Sequence, residues 1–335
     1  MELQFIKDFV KKITCEFTEI KNENTIYLIY DLYANNNING IKEDNKDSVY
    51  YLYVGFYFKI LFKIKEMKKY TLMSIEMGNV DAMIKLGDYY QHMEKYEKME
   101  KYYAMAISCG SSQALFNMGL YYEDTHKIKL MKTYYLMAIE LKHVSAMHNF
   151  AMYFEKIGEY EWMKRYYCMA IQLGDSDSMF NLGNYFRDIK KFRSMKKYYL
   201  MAIEKGNHLG AMNCLGNHYR ERGDFPLMKK YYLLALNNGN LIAMDNLAGY
   251  YQKIGEIQLM LKYYVMASEQ GHATSMNCLG NYYKKIEDFQ QMKKYYEMAI
   301  QHGNIDAINN LSMYHDYKNE TYKPYNVLNF HTCCM

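Results

Sequence analysis

A five-residue pattern starts at Met67, Met99, Met131, Met163, Met195, Met228, Met260 and Met292: Met, then Lys, Glu or Leu, then Lys, Thr or Arg, then Tyr, then Tyr or Thr. The interval is 32 residues six times and 33 once. One unit of this length is a single supersecondary element. It buries its apolar face only by stacking on the next copy, which gives a linear array. The extra residue lies between Gly206 and Ala211, where a connection is expected, and a turn is where a helical array tolerates an insertion.

Other columns keep the same phase. Eleven residues after each Met comes Gly78, Gly110, Gly174, Gly206, Gly239, Gly271 or Gly303, with Lys142 as the exception. A small residue recurs at Gly55, Gly87, Gly119, Ala151, Gly183, Gly216, Ala248, Gly280 and Ser312, which counts nine units because 48–66 holds a degenerate first copy. Each unit reads as two helices. Ala82, Leu86, Gly87, Tyr90 and Met93 share one face of the first, and Met99, Tyr103, Ala106 and Ile107 one face of the second. The glycine after the second helix suits a left-handed end, and Asn, Ser or Asp then follow as N-cap candidates, as at 78–81 and 174–177. Residues 156–160, 221–225 and 253–257 mark the turn inside the unit, and Pro226 sits near a helix start, where its missing N–H costs little. Two further small-residue columns, such as Ala82, Ala114 and Ala146 or Ala106, Ala138 and Ala170, let helix axes approach closely. Composition now has a reason: 39 tyrosines and 28 methionines fill the gaps around small residues, and two prolines in 335 residues leave the helices intact.

These columns resemble the tetratricopeptide repeat and its relative, the SEL-one-like repeat. Across 265–283, Ala267, Gly271, Ser275, Leu279, Gly280 and Tyr283 match the latter's A-x-x-x-G-x-x-x-A-x-x-x-L-G-x-x-Y core, with Ser for the second Ala. The short turn inside the unit resembles the tetratricopeptide form. Methionine stands where that family has a small alanine, the proline that closes each unit is absent, and no repeat carries paired cysteines. The resemblance covers about 48–317. It implies an all-α, right-handed α-solenoid (superhelix) of about nine 32-residue helix-turn-helix repeats, whose first helices line a concave groove for peptides or protein surfaces. It implies adaptors and scaffolds, and no catalysis or cofactor. The Asn-, Lys-, Ile- and Tyr-rich composition resembles products of AT-rich genomes, and such arrays are common in giant viruses of amoebae. The chain divides into an irregular helical cap (1–47), the array (48–317) and a tail (318–335).

On the family geometry, groove positions lie one and two residues before the Leu-type column (Leu86, Leu182, Leu215) and two and five after it. Two before, the column reads Leu52, Ile84, Phe116, His148 and Phe180, then Asn213, Asp245, Asn277 and Asn309. Two after, it reads Phe56, Asp88, Leu120 and Met152, then Asn184, Asn217, Gly249, Asn281 and Met313. The column one before contributes Asn117, Asn149, Asn181, Asn246 and Asn310. An asparagine ladder in the C-terminal half is expected to hold an extended peptide, because each amide offers a donor and an acceptor to a backbone. Arg187, Arg220 and Lys284 would meet acidic groups at its edge. The competing reading is that these asparagines satisfy neighbouring backbone groups. Replacing Asn213, Asn217 and Asn281 together is expected to abolish capture without unfolding the chain. The apolar N-terminal half is expected to lie under residues 1–47, whose helix bears Phe5, Ile6, Phe9, Val10, Ile13 and Phe17 ahead of the 25–34 segment, or else to receive a partner helix.

Lysine or arginine fills 13 of the 16 positions just after the eight methionines. With interleaved tyrosines this ridge carries the alternative reading, RNA binding; a solvated face balanced by Glu94, Glu97 and Glu155 is preferred to it, so a nucleic-acid partner is disfavoured. Self-association remains a further use of the surface. The formal charge of +4 does not announce a polyanion partner. Residues 1–12 lack the apolar core of a signal peptide, and the run 49–58 is short of the roughly 20 residues that span a bilayer. Seven scattered cysteines without a CxxC pair suit a reducing, cytoplasmic setting, that of the host for a viral protein. The ten histidines, several at turns (His143, His208, His272, His302), form no catalytic or metal-binding motif, and core packing explains the methionines better than soft-metal binding.

Overall fold

The computed structural model describes residues 23–42 and 44–317, which form 18 α-helices, one short 3₁₀ turn at Ile38–Gly40, and no strand. The sequence-expected helix around Phe5–Phe17 and the tail 318–335 lie outside the described residues. Two compact units divide at Leu173 and Gly174. In the first, α1 (Glu23–Asn35) precedes the pairs α2 (Ser48–Ile60) with α3 (Ile64–Glu76), α4 (Val80–His92) with α5 (Tyr96–Ser108), α6 (Ser112–Asp124) with α7 (Ile128–Glu140), and α8 (Val144–Lys156) with α9 (Tyr160–Gln172). The second holds α10 (Ser176–Asp188) with α11 (Phe192–Gly206), α12 (Leu209–Glu221) with α13 (Phe225–Asn237), α14 (Leu241–Lys253) with α15 (Ile257–Glu269), α16 (Ala273–Lys285) with α17 (Phe289–Gln301), and α18 (Ile305–Tyr317) alone. Within each unit every helix packs antiparallel on the next, an all-α solenoid.

The punctuation is local. Inside each pair one residue turns left-handed: Gly158, Gly223 and Gly255, but also Phe62, Glu94, His126, Lys190 and Glu287, each at a backbone cost that glycine avoids. Between pairs the left-handed residue is Gly78, Gly110, Gly174, Gly239, Gly271 or Gly303, and Lys142 takes the same conformation at φ 59°. Gly206 departs from its column. The inserted residue lengthens α11 to 15 residues, Gly206 stays helical, and Asn207 makes the left-handed turn at φ 46°. The insertion is therefore absorbed partly by the helix, not by the connection alone. Gly206 is needed for a different reason: a Cβ there would come within 2.5 Å of the Ser176 side chain.

From α4 on, first helices are capped by a side chain that accepts from the backbone N–H three residues on: Asn79, Ser111, His143, Asp175, His208, Asn240, His272 and Asn304; in α2, Asp47 accepts from the Val49 N–H, two residues on. Three of the eight caps are histidines using Nδ1, in the column where Asn, Ser or Asp was expected. Second helices mostly start uncapped, at lysine or glutamate; Asp224 and Asp288 are the exceptions.

The core repeats as well. An aromatic near the end of each first helix stacks on the first tyrosine of its partner. Tyr90–Tyr102 (5.6 Å between ring centres), Phe186–Tyr198 (5.5 Å) and Tyr283–Tyr295 (5.5 Å) lie within 7° of parallel. The next tyrosine, at 103, 135, 167, 199, 232, 264 and 296, is buried beside the pattern methionine. Burying each of these side chains is worth about 2 kcal/mol. In α1, Ile26, Ile29 and Leu32 pack into one cluster with Tyr50, Tyr53, Val54 and Tyr57 of α2 and its neighbours. Tyr33 Oη donates to the Tyr53 carbonyl at 2.9 Å.

Candidate functional site: the face of the first helices

The buried second tyrosine of each pair must satisfy its hydroxyl, and the first helix supplies the acceptor in one of two places. Tyr103 donates to Asp88 at 2.7 Å, Tyr199 to Asn184 at 2.7 Å, Tyr232 to Asn217 at 2.6 Å and Tyr296 to Asn281 at 2.7 Å, all at the column two after the Leu-type residue. Where that column holds Leu120, Met152 or Gly249, which cannot accept, the hydroxyl turns to Glu123 (2.5 Å), Glu155 (2.8 Å) or Gln252 (3.4 Å), three residues further along. From α6 onward the two columns compensate: Asn184, Asn217 and Asn281 at the first are accompanied by Arg187, Arg220 and Lys284 at the second, and Leu120, Met152 and Gly249 by Glu123, Glu155 and Gln252, while Tyr103 has acceptors at both, Asp88 and Gln91 at 3.0 Å. Burial pushes the phenols of Tyr103, Tyr135, Tyr199, Tyr232, Tyr264 and Tyr296 up. Tyr232 and Tyr296, against neutral amides, rise to about 12. Tyr103 and Tyr135 rise further by burial first and then by the adjoining carboxylate, and Tyr199 and Tyr264 by burial first and then by Cys214 and Cys278.

The tyrosine fits only because its neighbour is small. A Cβ added at Gly87, Gly119, Gly183, Gly216 or Gly280 would come within 2.4–2.6 Å of the ring of Tyr103, Tyr135, Tyr199, Tyr232 or Tyr296.

The other expected ladder columns join successive first helices within each unit. In the second, Asn246 Nδ2 donates to Asn213 Oδ1 at 2.8 Å, Asn310 Nδ2 to Asn277 Oδ1 at 3.0 Å, and Ser275 Oγ to Asp245 Oδ1 at 3.0 Å. Arg187 reaches Cys214 (3.9 Å) and Arg220 reaches Asn246 (3.4 Å). In the first, Asn117 Nδ2 donates to Asp88 at 3.1 Å. These asparagines bond to side chains of the adjacent repeat, not to nearby backbone. Asn309, Arg187, Arg220 and Lys284 are exposed, Asn181 is half-buried, and Asn277 is 9 % exposed. In α12 and α16 the expected residues fall on one stripe at i, i+4 and i+7: Asn213, Asn217 and Arg220, then Asn277, Asn281 and Lys284. The hydroxyl-acceptor role was the main feature that a reading of single columns missed. Its signal was the compensation between two columns.

Several apolar groove positions of the first unit are less open than expected, while Met152 is exposed. Leu52 and Ile84 are buried. Phe116 stacks on Tyr135 and on the cap His143, 4.8 Å away. In the second unit Phe180 does the same with Tyr199 and His208, at 4.3 Å from the latter. His143 completes a neutral pattern: Nδ1 accepts from the Ala146 N–H at 3.2 Å while Nε2 faces Gln113 Oε1 at 3.2 Å, and burial holds its pKa below 6.5. His218 stands in a tyrosine column, buried beside Phe192, with Nε2 unbonded; burial, then Arg222 and Lys196, lower its pKa.

Lysines of the basic ridge lie over aromatic rings. Lys68 sits 5.1 Å from Tyr89, Lys132 5.2 Å from Tyr153, Lys229 5.2 Å from Tyr251, and Lys230 and Lys294 over the tyrosine that follows each. Such contacts are worth about 0.5–1 kcal/mol each at exposed sites. Tyr231 and Tyr295 thereby meet both a stacked ring and an amine. Among the described residues no three His, Cys, Asp or Glu side chains converge where a metal ion would fit, and no helix is long and apolar enough to cross a membrane.

Paired 13-residue helices, a buried tyrosine under a glycine, and side-chain rungs between neighbouring first helices define the architecture for comparison with solved proteins. A Sel1 repeat protein from Oxalobacter formigenes superimposes with a TM-score of 0.60 at 18% identity, over 89% of this chain and 96% of that one. The fold is that of Sel1-like repeats. A second Sel1-like solenoid, c5321, a protective antigen of uropathogenic Escherichia coli strains with an SLR fold, gives a TM-score of 0.53 at 19% identity over 82% of this chain. The chain spans 66% of that protein's length. No protein-family model matches the sequence, and no curated protein matches it.

Proposed function

We propose that this Sel1-like array is a non-catalytic protein-interaction scaffold whose second unit holds an extended peptide or protein segment on the face of its first helices. One observation carries the reading. The stripes on α12 and α16 present amides and a cation at the same heights, on helices tied to their neighbours by side-chain rungs. Polar stripes two repeats apart, joined through the rungs of α14, suit a chain that binds in extended form. Residues 23–35 then serve as the cap of the first unit, since α1 covers α2 with Ile26, Ile29 and Leu32.

Removing asparagine side chains outright is a poor test, because alanine at 217 or 281 also orphans a buried tyrosine hydroxyl, at about 1–3 kcal/mol each. A better one alters only exposed groups. Pull-downs from native lysate, with and without nuclease, compare wild type with Arg220→Glu/Lys284→Glu. Nuclease-resistant proteins recovered by wild type and lost by the variant are expected. Capture that disappears with nuclease would transfer the ridge and its tyrosines to an RNA-binding role. Capture unaffected by the variant would remove the second unit's face from the interaction.

A further inference from the structure

We infer that the first-helix face of the second unit is built for an acidic, acceptor-rich peptide segment. The inference rests on the peptide-binding reading above and adds the chemistry of the ligand.

Free asparagine is ambivalent, but here the core removes the ambivalence. Oδ1 of Asn184, Asn217 and Asn281 accepts the hydroxyls of Tyr199, Tyr232 and Tyr296. The equivalent tyrosines 103, 135 and 167 donate to Asp88, Glu123 and Glu155, which when ionised can only accept, so the hydroxyl of this column is a donor. With its oxygen committed inward, a planar amide turns its Nδ2 hydrogens elsewhere. Among the described residues, Nδ2 of these three asparagines has no hydrogen-bond partner. Oδ1 of Asn213 and Asn277 is likewise taken, by Asn246 and Asn310. Three residues beyond each tyrosine-bound asparagine stands Arg187, Arg220 or Lys284, which have donors only.

The available groups on this face are therefore mostly donors, half of them charged. Two carboxylates temper it. Asp245 accepts from Ser275, and Asp188 pairs with Arg187 at 3.0 Å in an exposed ion pair of the kind that exchanges readily. The complement is a segment that offers carbonyls and carboxylates. The corresponding columns of the first unit present Asp88, Gln91, Glu123 and Glu155 against a single cation, Lys59, and should bind the same ligand more weakly.

Asparagine-to-aspartate substitution separates core from face. Aspartate at 184, 217 and 281 keeps the acceptor for tyrosine, as Asp88 does for Tyr103, and replaces the outward donor with a carboxylate oxygen. The experiment measures binding of fluorescent oligoglutamate, oligoglutamine and oligouridylate to the full chain by anisotropy, with a melting curve for each variant. Asn184→Asp/Asn217→Asp/Asn281→Asp is set against Lys205→Gln/Lys253→Gln/Lys285→Gln, an equal change of net charge at exposed positions on the same unit. Oligoglutamate is expected to bind better than oligoglutamine, to weaken roughly tenfold or more in the aspartate variant, and to change little in the glutamine variant. Equal binding of oligoglutamine overturns the acidic preference and leaves the peptide reading standing. Equal losses in both variants overturn it in favour of bulk charge, and tighter binding of oligouridylate in favour of nucleic acid. Binding of neither peptide sinks both readings.

Discussion

Buried tyrosines pose the same problem in both units, and the units solve it differently. In the first, the hydroxyls of Tyr103, Tyr135 and Tyr167 meet Asp88, Glu123 and Glu155. In the second, those of Tyr199, Tyr232 and Tyr296 meet amides, with Gln252 serving Tyr264. The core requirement is constant, so the choice of acceptor is free to be set by what it leaves on the outer face. Carboxylates remain in the first unit, and amide donors beside Arg187, Arg220 and Lys284 in the second.

The largest effect expected from this comparison concerns the residue beneath the tyrosine. Gly216→Ala would push a methyl within 2.4 Å of the Tyr232 ring, a fully buried side chain without room to retreat, at about 3 kcal/mol. Ala151 and Ala248 occupy this column where the hydroxyl reaches for Glu155 or Gln252 instead, and only Gly119, beside Tyr135 and Glu123, keeps glycine with the further acceptor alone. Adding Arg220→Gln to Gly216→Ala should therefore recover part of the loss in urea melts. Recovery equal to zero would mean that alanine and the further acceptor are unrelated.

Next comes exchange of the two solutions. Glu123→Arg removes the acceptor that Tyr135 uses, which Leu120 cannot replace, and should cost about 2 kcal/mol unless the adjoining Asn149 amide turns its oxygen to the hydroxyl. Leu120→Asn added to it recreates the arrangement of Asn217 and Arg220 and should restore stability to within about 0.5 kcal/mol of wild type. Hydrogen exchange in α6 and α7 reads the cost where it arises. A double variant no better than the single one would show that the units differ in more than acceptor choice.

Much of this was written in the chain and some was not. Helix ends were legible because glycine and short polar residues mark them chemically, and the period carried the phase through Lys142, which turns left-handed without being glycine. The place of the insertion is not legible, because an extra residue can lengthen a helix as readily as a loop; Gly206 has the sequence of a terminator and the structure of a close-contact residue. The histidine caps are less legible, because histidine suggests metal or catalytic chemistry before it suggests a cap, although His143, His208 and His272 share a column with Asn79 and Asp175. The asparagines were legible as a row. That their oxygens face inward required knowing which tyrosine lies beneath each one.

Acid should weaken the first unit through one of those caps. Burial places the folded-state pKa of His143 below its unfolded value of 6.5, so the unfolded chain binds the proton first. The contribution is complete above pH 6.5, falls as pH drops through the folded-state pKa, and then levels off. Protonated Nδ1 cannot accept from the Ala146 N–H, so the loss is about 1 kcal/mol, the worth of a cap. His143→Asn supplies the residue that caps at positions 79, 240 and 304 and should flatten that part of the pH profile. An unchanged profile would assign the acid sensitivity elsewhere, with the buried His218 of the second unit the next group to replace.

The smallest effect tests whether the second unit's row can be completed. Gly249 interrupts it in α14, and a Cβ there would meet nothing closer than the Tyr264 hydroxyl at 3.9 Å, an ordinary contact. That hydroxyl now relies on Gln252 Oε1 at 3.4 Å, long for an O–H donor. Gly249→Asn places an acceptor where Asn217 and Asn281 hold theirs and removes a glycine from a helix interior. Together these should stabilise the chain by about 0.5–1 kcal/mol. The same substitution adds one outward Nδ2 between α12 and α16, so oligoglutamate should bind a few-fold more tightly, on the order of one added hydrogen bond. Stabilisation without tighter binding would confine the asparagines to the core and leave the cations alone as ligands of the acidic segment.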